Sequence, residues 1–347
     1  MLHNTEPAEG WPVRIEKGVM GMEKQFDIIG VCDPVMDMAV SIGHIPATDS
    51  LERMNDMLWQ SGGNGASAIT GAARLGAKCG IIGATGTDAF GDFCYNDMVY
   101  HGVDTKYLYR MPGATPFCIC LAETETQGRS FIATNTDMGA VQEDQIDEDY
   151  VASAKIIHTD LGDFPGKWKA IEYAKKHGVL VSTDAGYYNP SNCDRMIDTA
   201  DILIMSSMFY KGVFGDDENY VENCRSLLSR GPQIVIVTLG SKGCAGTDGT
   251  TDFTLPPFSG YEIIDTTGAG DIFHGAYCYA YLQGWDIVQC ARFSSAVSYI
   301  NSLSLGGRAG QPTRDMVDTF LETGKVDLSV LDERKRHYRD ILQFKGV

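Results

Sequence analysis

The sequence predicts an α/β protein, with a mainly parallel central sheet and helices on both faces. Two observations carry this. Short runs rich in Ile, Val or Leu recur along the chain, as strands buried on both faces require. Between them lie stretches with helical spacing, and that alternation builds βαβ units. The 347 residues suffice for one large domain with at most a small appendage.

Taken in order, strands are expected at residues 26–31, 80–83, 155–158, 179–182, 201–205 and 233–239. Helices are expected at 66–75, 168–177 and 219–229. An extended segment at 261–264 precedes a further helix, whose apolar stretch 275–282 stops at Gly284. Two regions, 38–60 and 115–135, break the alternation. Their polar and apolar residues alternate between turn signals, and 117–124 and 129–134 read as antiparallel strands. Both are assigned to a small sheet projecting from the body, suited to a lid or a dimer contact. Residues 1–24 are expected to form an N-terminal extension and 25–330 the main domain. Residues 331–347 are expected to form a helical tail, its mixed-charge run 332–340 facing solvent.

Composition narrows the function. A net charge of −18 argues against a nucleic-acid-binding surface, which needs Lys and Arg to neutralise phosphates. An anionic ligand must then be held by local N–H groups and a few cations. No apolar run is long enough to cross a membrane, and residues 1–23 do not read as a signal peptide, so a cytoplasmic protein is expected. The ten cysteines are scattered without a C-x2-C pattern, so reduced thiols are expected and a zinc site is not. Cys118 and Cys120 would share one face of a strand, an ordinary packing arrangement.

The run Asp265-Thr266-Thr267-Gly268-Ala269-Gly270-Asp271 carries the most chemistry. Small residues at a turn into a helix let backbone N–H groups converge on an anion, and the helix N-terminus adds about half a positive charge. Asp271 would sit beside that hole, kept ionised by the same field, as a base for a hydroxyl during phosphate transfer. As a structural feature alone it is a glycine turn with an acidic helix start. The cluster Ser61-Gly62-Gly63-Asn64-Gly65 lets backbone approach a ligand, with Asn64 offering donor and acceptor. Thr238, Gly240 and Gly243 follow a buried strand, at the sheet edge where ligands bind. No P-loop pattern occurs. Asp37, shortly after the first strand, could accept from two adjacent hydroxyls, with Asp33 competing for that role.

Together these features resemble the ribokinase (PfkB) family of sugar and nucleoside kinases over about residues 25 to 325. The run 265–271 looks like that family's C-terminal signature, and Gly62-Gly63-Asn64-Gly65-Ala66 with Ala72-Ala73-Arg74-Leu75-Gly76-Ala77 like its N-terminal one. The resemblance implies a three-layer α/β/α sandwich (ribokinase-like) with a small β lid, often used for homodimerisation. It implies transfer of the ATP γ-phosphoryl group to a primary hydroxyl of a sugar. Asp271 would be the base and the amides of Gly268, Ala269 and Gly270 the anion hole. Asp37, Gly62, Gly63 and Asn64 would hold the sugar, and Thr238, Gly240, Gly243 and Ser206 the nucleotide. It further implies Mg2+ with ATP, and K+ in some members, with Asp265 and Thr267 as partial ligands here.

Two departures stand out. Ser67 occupies a position where many members carry asparagine. The family's N-x-x-E motif should follow strand 201–205, but Ser206-Ser207-Met208-Phe209 stands there. That absence keeps a catalytically weak, sugar- and nucleotide-binding relative among the readings. A nucleoside kinase is a second alternative, needing an aromatic base pocket from Phe117, Phe131 and Tyr100.

Overall fold

The computed structural model describes residues 24–160 and 162–340; residues 1–23 of the expected extension and 341–347 of the tail lie outside the described residues. Strand β1 (Phe26–Val31) opens a large sheet, and β2 (Val35–Ile42) and β3 (Asp56–Gly62) leave it for a small one. Helix α1 (Asn64–Leu75) returns the chain to β4 (Cys79–Gly86), α2 (Ala89–Tyr100) and β5 (Asp104–Met111). Strands β6 (Phe117–Glu123) and β7 (Arg129–Ala133) complete the small sheet. The alternation resumes with α3 (Glu148–Ala152), β8 (Ala154–Thr159), α4 (Pro165–Lys176), β9 (Leu180–Ala185), α5 (Cys193–Thr199) and β10 (Ile202–Ser206). Then come α6 (Ser207–Phe214), α7 (Tyr220–Leu227), β11 (Ile234–Thr238), β12 (Cys244–Thr247) and β13 (Asp252–Leu255). Helices α8 (Ala269–Leu282), α9 (Ile287–Asn301), α10 (Arg314–Thr323) and α11 (Leu328–Asp340) follow.

The large sheet runs β13-β12-β11-β10-β9-β8-β1-β4-β5, parallel from β11 through to β5. Alternate side chains feed two cores, as the pleat requires. Ile202 and Ile204 pack with α8, α9 and α10, whereas Leu203 and Met205 pack with α5, α6 and α7. The three-layer sandwich expected from the sequence is therefore present. The small sheet, order β3-β2-β6-β7, projects from it as expected.

Each expected parallel strand is found, β4 and β9 each running three residues further. Strands β5 and β13 escaped the sequence reading because they lie at the sheet edges and are half-exposed, so they carry no continuous apolar run. Residues 261–264 join neither sheet; instead the Ile264 N–H donates to the Ser302 carbonyl at 2.9 Å. The run 332–340 is helical but not wholly solvated. Leu331, Arg334 and Tyr338 are buried, and the Tyr338 hydroxyl donates to Asp97 at 2.9 Å.

Two helices set the spacing of the functional residues. At Gly275 of α8 a Cβ would meet the Ala68 carbonyl oxygen at 1.9 Å, and at Gly71 of α1 one would meet Ile272 at 2.7 Å. Only glycine permits so close an approach, so α1 and α8 cross nearly backbone to backbone. Arg308, fully buried after α9, fixes the loop above them. Its guanidinium pairs with Asp97 at 3.1 Å and donates to the Ala66 carbonyl at 3.0 Å.

Candidate active site

The carboxyl ends of β1, β8 and β9 each present an aspartate, and the N-termini of α1 and α8 meet them there. Asp160 at the end of β8 accepts from the Gly65 N–H at 3.0 Å, tying α1 to the sheet. Asp184 at the end of β9 accepts from Asn64 Nδ2 at 3.5 Å and lies 3.2 Å from His274 Nε2 on α8. Asp33 accepts from the Ala84 N–H at 2.7 Å, which makes it a brace between β1 and β4. Asp37 has no such duty. It lies on the lid strand β2, not in a loop, and no donor of the described residues bonds its carboxylate.

Gly62 and Gly63 allow this arrangement. A Cβ on Gly62 would lie 1.8 Å from Asp37 Oδ2, and Gly63 adopts φ +88 where a Cβ would meet the Asp33 carbonyl at 2.5 Å. Gly62 thus lies against Asp37, while Asn64, two residues on, turns toward Asp184 at the end of β9. Ser67 faces the loop after α9. Its side chain is buried, and its carbonyl accepts from Gln311 Nε2 at 3.2 Å.

The 265–271 loop is held from within. Asp265 is buried and accepts from the Thr267 N–H and the Gly306 N–H, each at 2.8 Å. Gly268 caps α8 at φ 75, facing Gly307, where a Cβ would lie 2.8 Å from its Cα. The Ala269 N–H donates to the Thr266 carbonyl at 3.2 Å. Of the three amides expected to form an anion hole, those of Gly268 and Gly270 meet no carbonyl of the described residues, and that of Ala269 is already engaged. Arg129 on β7 reaches over from the lid, donating to the Thr266 carbonyl at 2.8 Å.

Electrostatics correct one expectation. The helix N-terminus was expected to keep Asp271 ionised, but burial, with the nearby Asp184 charge, pushes its carboxyl up to about 7; His274 and Arg129 pull the other way. Burial likewise pushes Asp33 up to about 7 and Asp37 well above the usual range. Asp184 behaves differently. Burial would raise it, yet the His274 charge and hydrogen bond hold it below the ordinary carboxylate value. Desolvation outweighs a half-charge at a helix end, because removing water penalises the anion from every direction.

Thr238, Gly240 and Gly243 lie together at the end of β11. The Thr238 hydroxyl donates to the Met205 carbonyl at 3.3 Å, and Gly240, at φ 57, faces open space. Gly243, at φ 89, presses on the Leu255 carbonyl oxygen. Beside it, residues 255–259 with Arg292 and Ser295 line a cleft of about 290 Å³. Sequence reasoning missed this cleft, since its residues share no motif. Ser206 sits nearby, but its hydroxyl donates to the Gly186 carbonyl at 2.5 Å and accepts the Met208 and Phe209 N–H groups at 3.1 Å as the cap of α6. Phe209, where the family's glutamate would stand, is fully buried. Phe117, Phe131 and Tyr100 do not converge: Phe117 stacks on Phe90, Tyr100 on His337, and Phe131 is exposed beneath Arg129.

Asp271 stands in the first turn of α8 beside the unengaged Gly268 and Gly270 amides and near the Asp184 and Asp160 carboxylates, an arrangement suited to phosphoryl transfer onto an alcohol. The chain belongs to the pfkB family of carbohydrate kinases, whose family model matches residues 35–314. It is 28% identical over 327 residues to a 5-dehydro-2-deoxygluconokinase of Clostridium perfringens, covering 88% of this chain and 95% of that protein. Among solved structures, it is similar to an Escherichia coli protein assigned as ribokinase II in complex with ATP and Mg2+ (TM-score 0.73, 21% identity, 86% of this chain and 99% of that one). An Arabidopsis thaliana ribokinase complexed with ribose and ATP is similarly related (TM-score 0.70, 22% identity, 87% and 99%). The chain is an ATP-dependent sugar kinase.

Proposed function

We propose that this kinase phosphorylates a primary hydroxyl of a keto-deoxy sugar acid, 5-dehydro-2-deoxygluconate. The observation that carries this is the alignment, over nearly the full length of both chains, with a kinase named for that sugar. Asp37 and Asn64 would hold its hydroxyls, and Arg129 supplies a lid cation for its carboxylate. Asp271 takes the proton of the attacking hydroxyl, and the Gly268 and Gly270 amides stabilise charge on the transferring group. A carboxyl near 7 suits this work, since the best general base titrates near the operating pH. Thr238, Gly240 and Gly243 line the phosphates, and the cleft beside Gly243 takes the base.

Magnesium arriving with ATP would supply charge neutralisation on the phosphates. Hard cations take oxygen ligands, and the turn after β10 offers neither a carboxylate nor a side-chain amide, with Ser206 committed and Phe209 buried. Asp184 and Asp271 are the carboxylates that fit in its place. For a monovalent ion, the buried Thr267 hydroxyl is unpartnered, but both Asp265 oxygens already accept amides. That site fits in part only, and no step depends on it. A homodimer through the lid belongs to the same reading, supported by exposed Phe131 and Ile132 on the outer strand β7.

A second reading has its own support. Asp33, Asp37, Asp160, Asp184 and Asp271 make the site acidic, and this favours a neutral sugar such as ribose or fructose. A coupled assay of ADP release decides. 5-Dehydro-2-deoxygluconate is expected to give the highest kcat/KM, and Arg129→Ala to raise its KM more than that of a neutral sugar. Higher kcat/KM with ribose, fructose or adenosine would refute the sugar-acid assignment. Tight binding of sugar and ATP without turnover on any sugar would point to a catalytically weak relative.

A further inference from the structure

The lid places two thiols against the carboxylate assigned to the sugar. In the β2–β6 ladder Asp37 pairs with Cys118, and Ala39 with Cys120. Side chains alternate along strands, so Asp37, Cys118 and Cys120 share one face, and the small Ala39 leaves room opposite Cys120. The two sulfurs lie 3.8 Å apart. Ligand atoms of all three residues lie within 4.8 Å of one another.

Two thiolates on one tetrahedral zinc, each at about 2.3 Å, are themselves about 3.8 Å apart. Thiols merely in contact would show a similar spacing, so the third group decides. Asp37 is partly buried, accepts no hydrogen bond from the described residues, and its carboxylate lies within 4.8 Å of both sulfurs. A bound dication would give this carboxylate the partner it lacks.

We propose that Asp37, Cys118 and Cys120 form a binding site for a thiophilic divalent cation such as Zn2+, which blocks the sugar recess when occupied. Binding displaces one proton from each thiol, and the Asp37 proton where it is carried, to solvent; it forms two metal–sulfur bonds and one metal–oxygen bond in place of metal-bound waters, and no electrons are exchanged. Cys118 is half-exposed, which gives the ion a way in. Three protein ligands leave the fourth tetrahedral position for water. Mg2+ prefers oxygen ligands and is not retained there. The blocking of sugar rests on the reading of Asp37 as a sugar ligand; the metal site does not.

The test uses the full reduced chain and Cd2+ as probe, since thiolate ligation gives an ultraviolet charge-transfer band. One Cd2+ per chain with two thiolates is expected. Cys118→Ser is expected to weaken binding beyond the roughly 10–100-fold that loss of an outer-shell partner costs, and Asp37→Asn by at least about tenfold. Cys120→Ser serves the same purpose if Cys118→Ser does not fold, as judged by near-ultraviolet circular dichroism. In the wild type, Zn2+ is expected to raise KM for the sugar at constant kcat. Equal Cd2+ binding by the wild type and both cysteine variants, or no stoichiometric binding at all, overturns the site. Intact Cd2+ binding with Zn2+ inhibition that sugar does not relieve overturns the placement of sugar at Asp37 and leaves the metal site standing.

Discussion

His274 Nε2 lies 3.2 Å from Asp184 Oδ1, and Asp271 precedes His274 by one turn of α8. The two partners act on Asp271 with opposite sign: the Asp184 charge raises its pKa and His274 lowers it. A base must be ionised to work, so kcat/KM is expected to fall as pH drops through about 7. Asp184→Asn should move that limb to lower pH, and His274→Gln to higher pH. Profiles of kcat/KM for the three proteins check this, and an unmoved limb in both variants would place the titrating group elsewhere.

Asp271→Asn is expected to cut turnover by at least about 10²-fold, the lower range for a lost general base. The same change has a signed effect on stability. In the unfolded chain this carboxyl ionises near 4, and in the folded one near 7. Its contribution is therefore present below about 4 and lost as pH rises through about 7. The variant has no such loss, so its melting temperature should gain on the wild type between pH 5 and pH 8. A constant difference across that range would contradict the raised pKa.

Gly62→Ala places a methyl group 1.8 Å from the present position of Asp37 Oδ2. The carboxylate must swing away from the recess. The expected result is a raised KM for the sugar with the KM for ATP unchanged, read in the same coupled assay.

Writing the family's N-x-x-E motif back into the turn after β10 should fail. Phe209 is fully buried within the α5–α7 core, and Glu in its place would bury an unpaired charge. Ser206→Asn/Phe209→Glu is expected to lose stability by about 3–5 kcal/mol, comparable to a buried Phe→Ala change, with no gain in turnover. Urea denaturation and kcat report the two halves.

Much of this architecture was legible in the sequence because it rests on local composition. Strands buried on both faces are apolar runs, and the 265–271 loop needs its glycines wherever it occurs. The residues that tune the site were not legible. Asp184, His274 and Asp160 are single polar residues at strand and helix ends, and only the parallel order of β8, β9 and β1 brings them together. The ionisation of Asp271 was misjudged for a related reason: a helix terminus can be read locally, whereas burial depends on elements more than a hundred residues away. The meeting of Asp37 with Cys118 and Cys120 likewise depends on a β2–β6 register that no spacing along the chain reveals.

The small sheet is fastened very unequally at its two sides. Along β3, Gln60 Nε2 donates to the Leu305 carbonyl at 3.0 Å, Gln60 Oε1 accepts the Arg308 N–H at 2.6 Å, and Arg339 and Lys335 of α11 grip Asp56 at 2.6 and 3.3 Å. At the far side β7 has no outer neighbour among the described residues and is clasped to the body through Arg129. Such a sheet peels from its free margin; it does not swing as a rigid flap. Amide exchange in β7 is expected to outpace that in β3, and Arg129→Ala to widen the gap. Sugar would then enter past β7, with the Asp37 strand next to β3 serving as the stationary jaw.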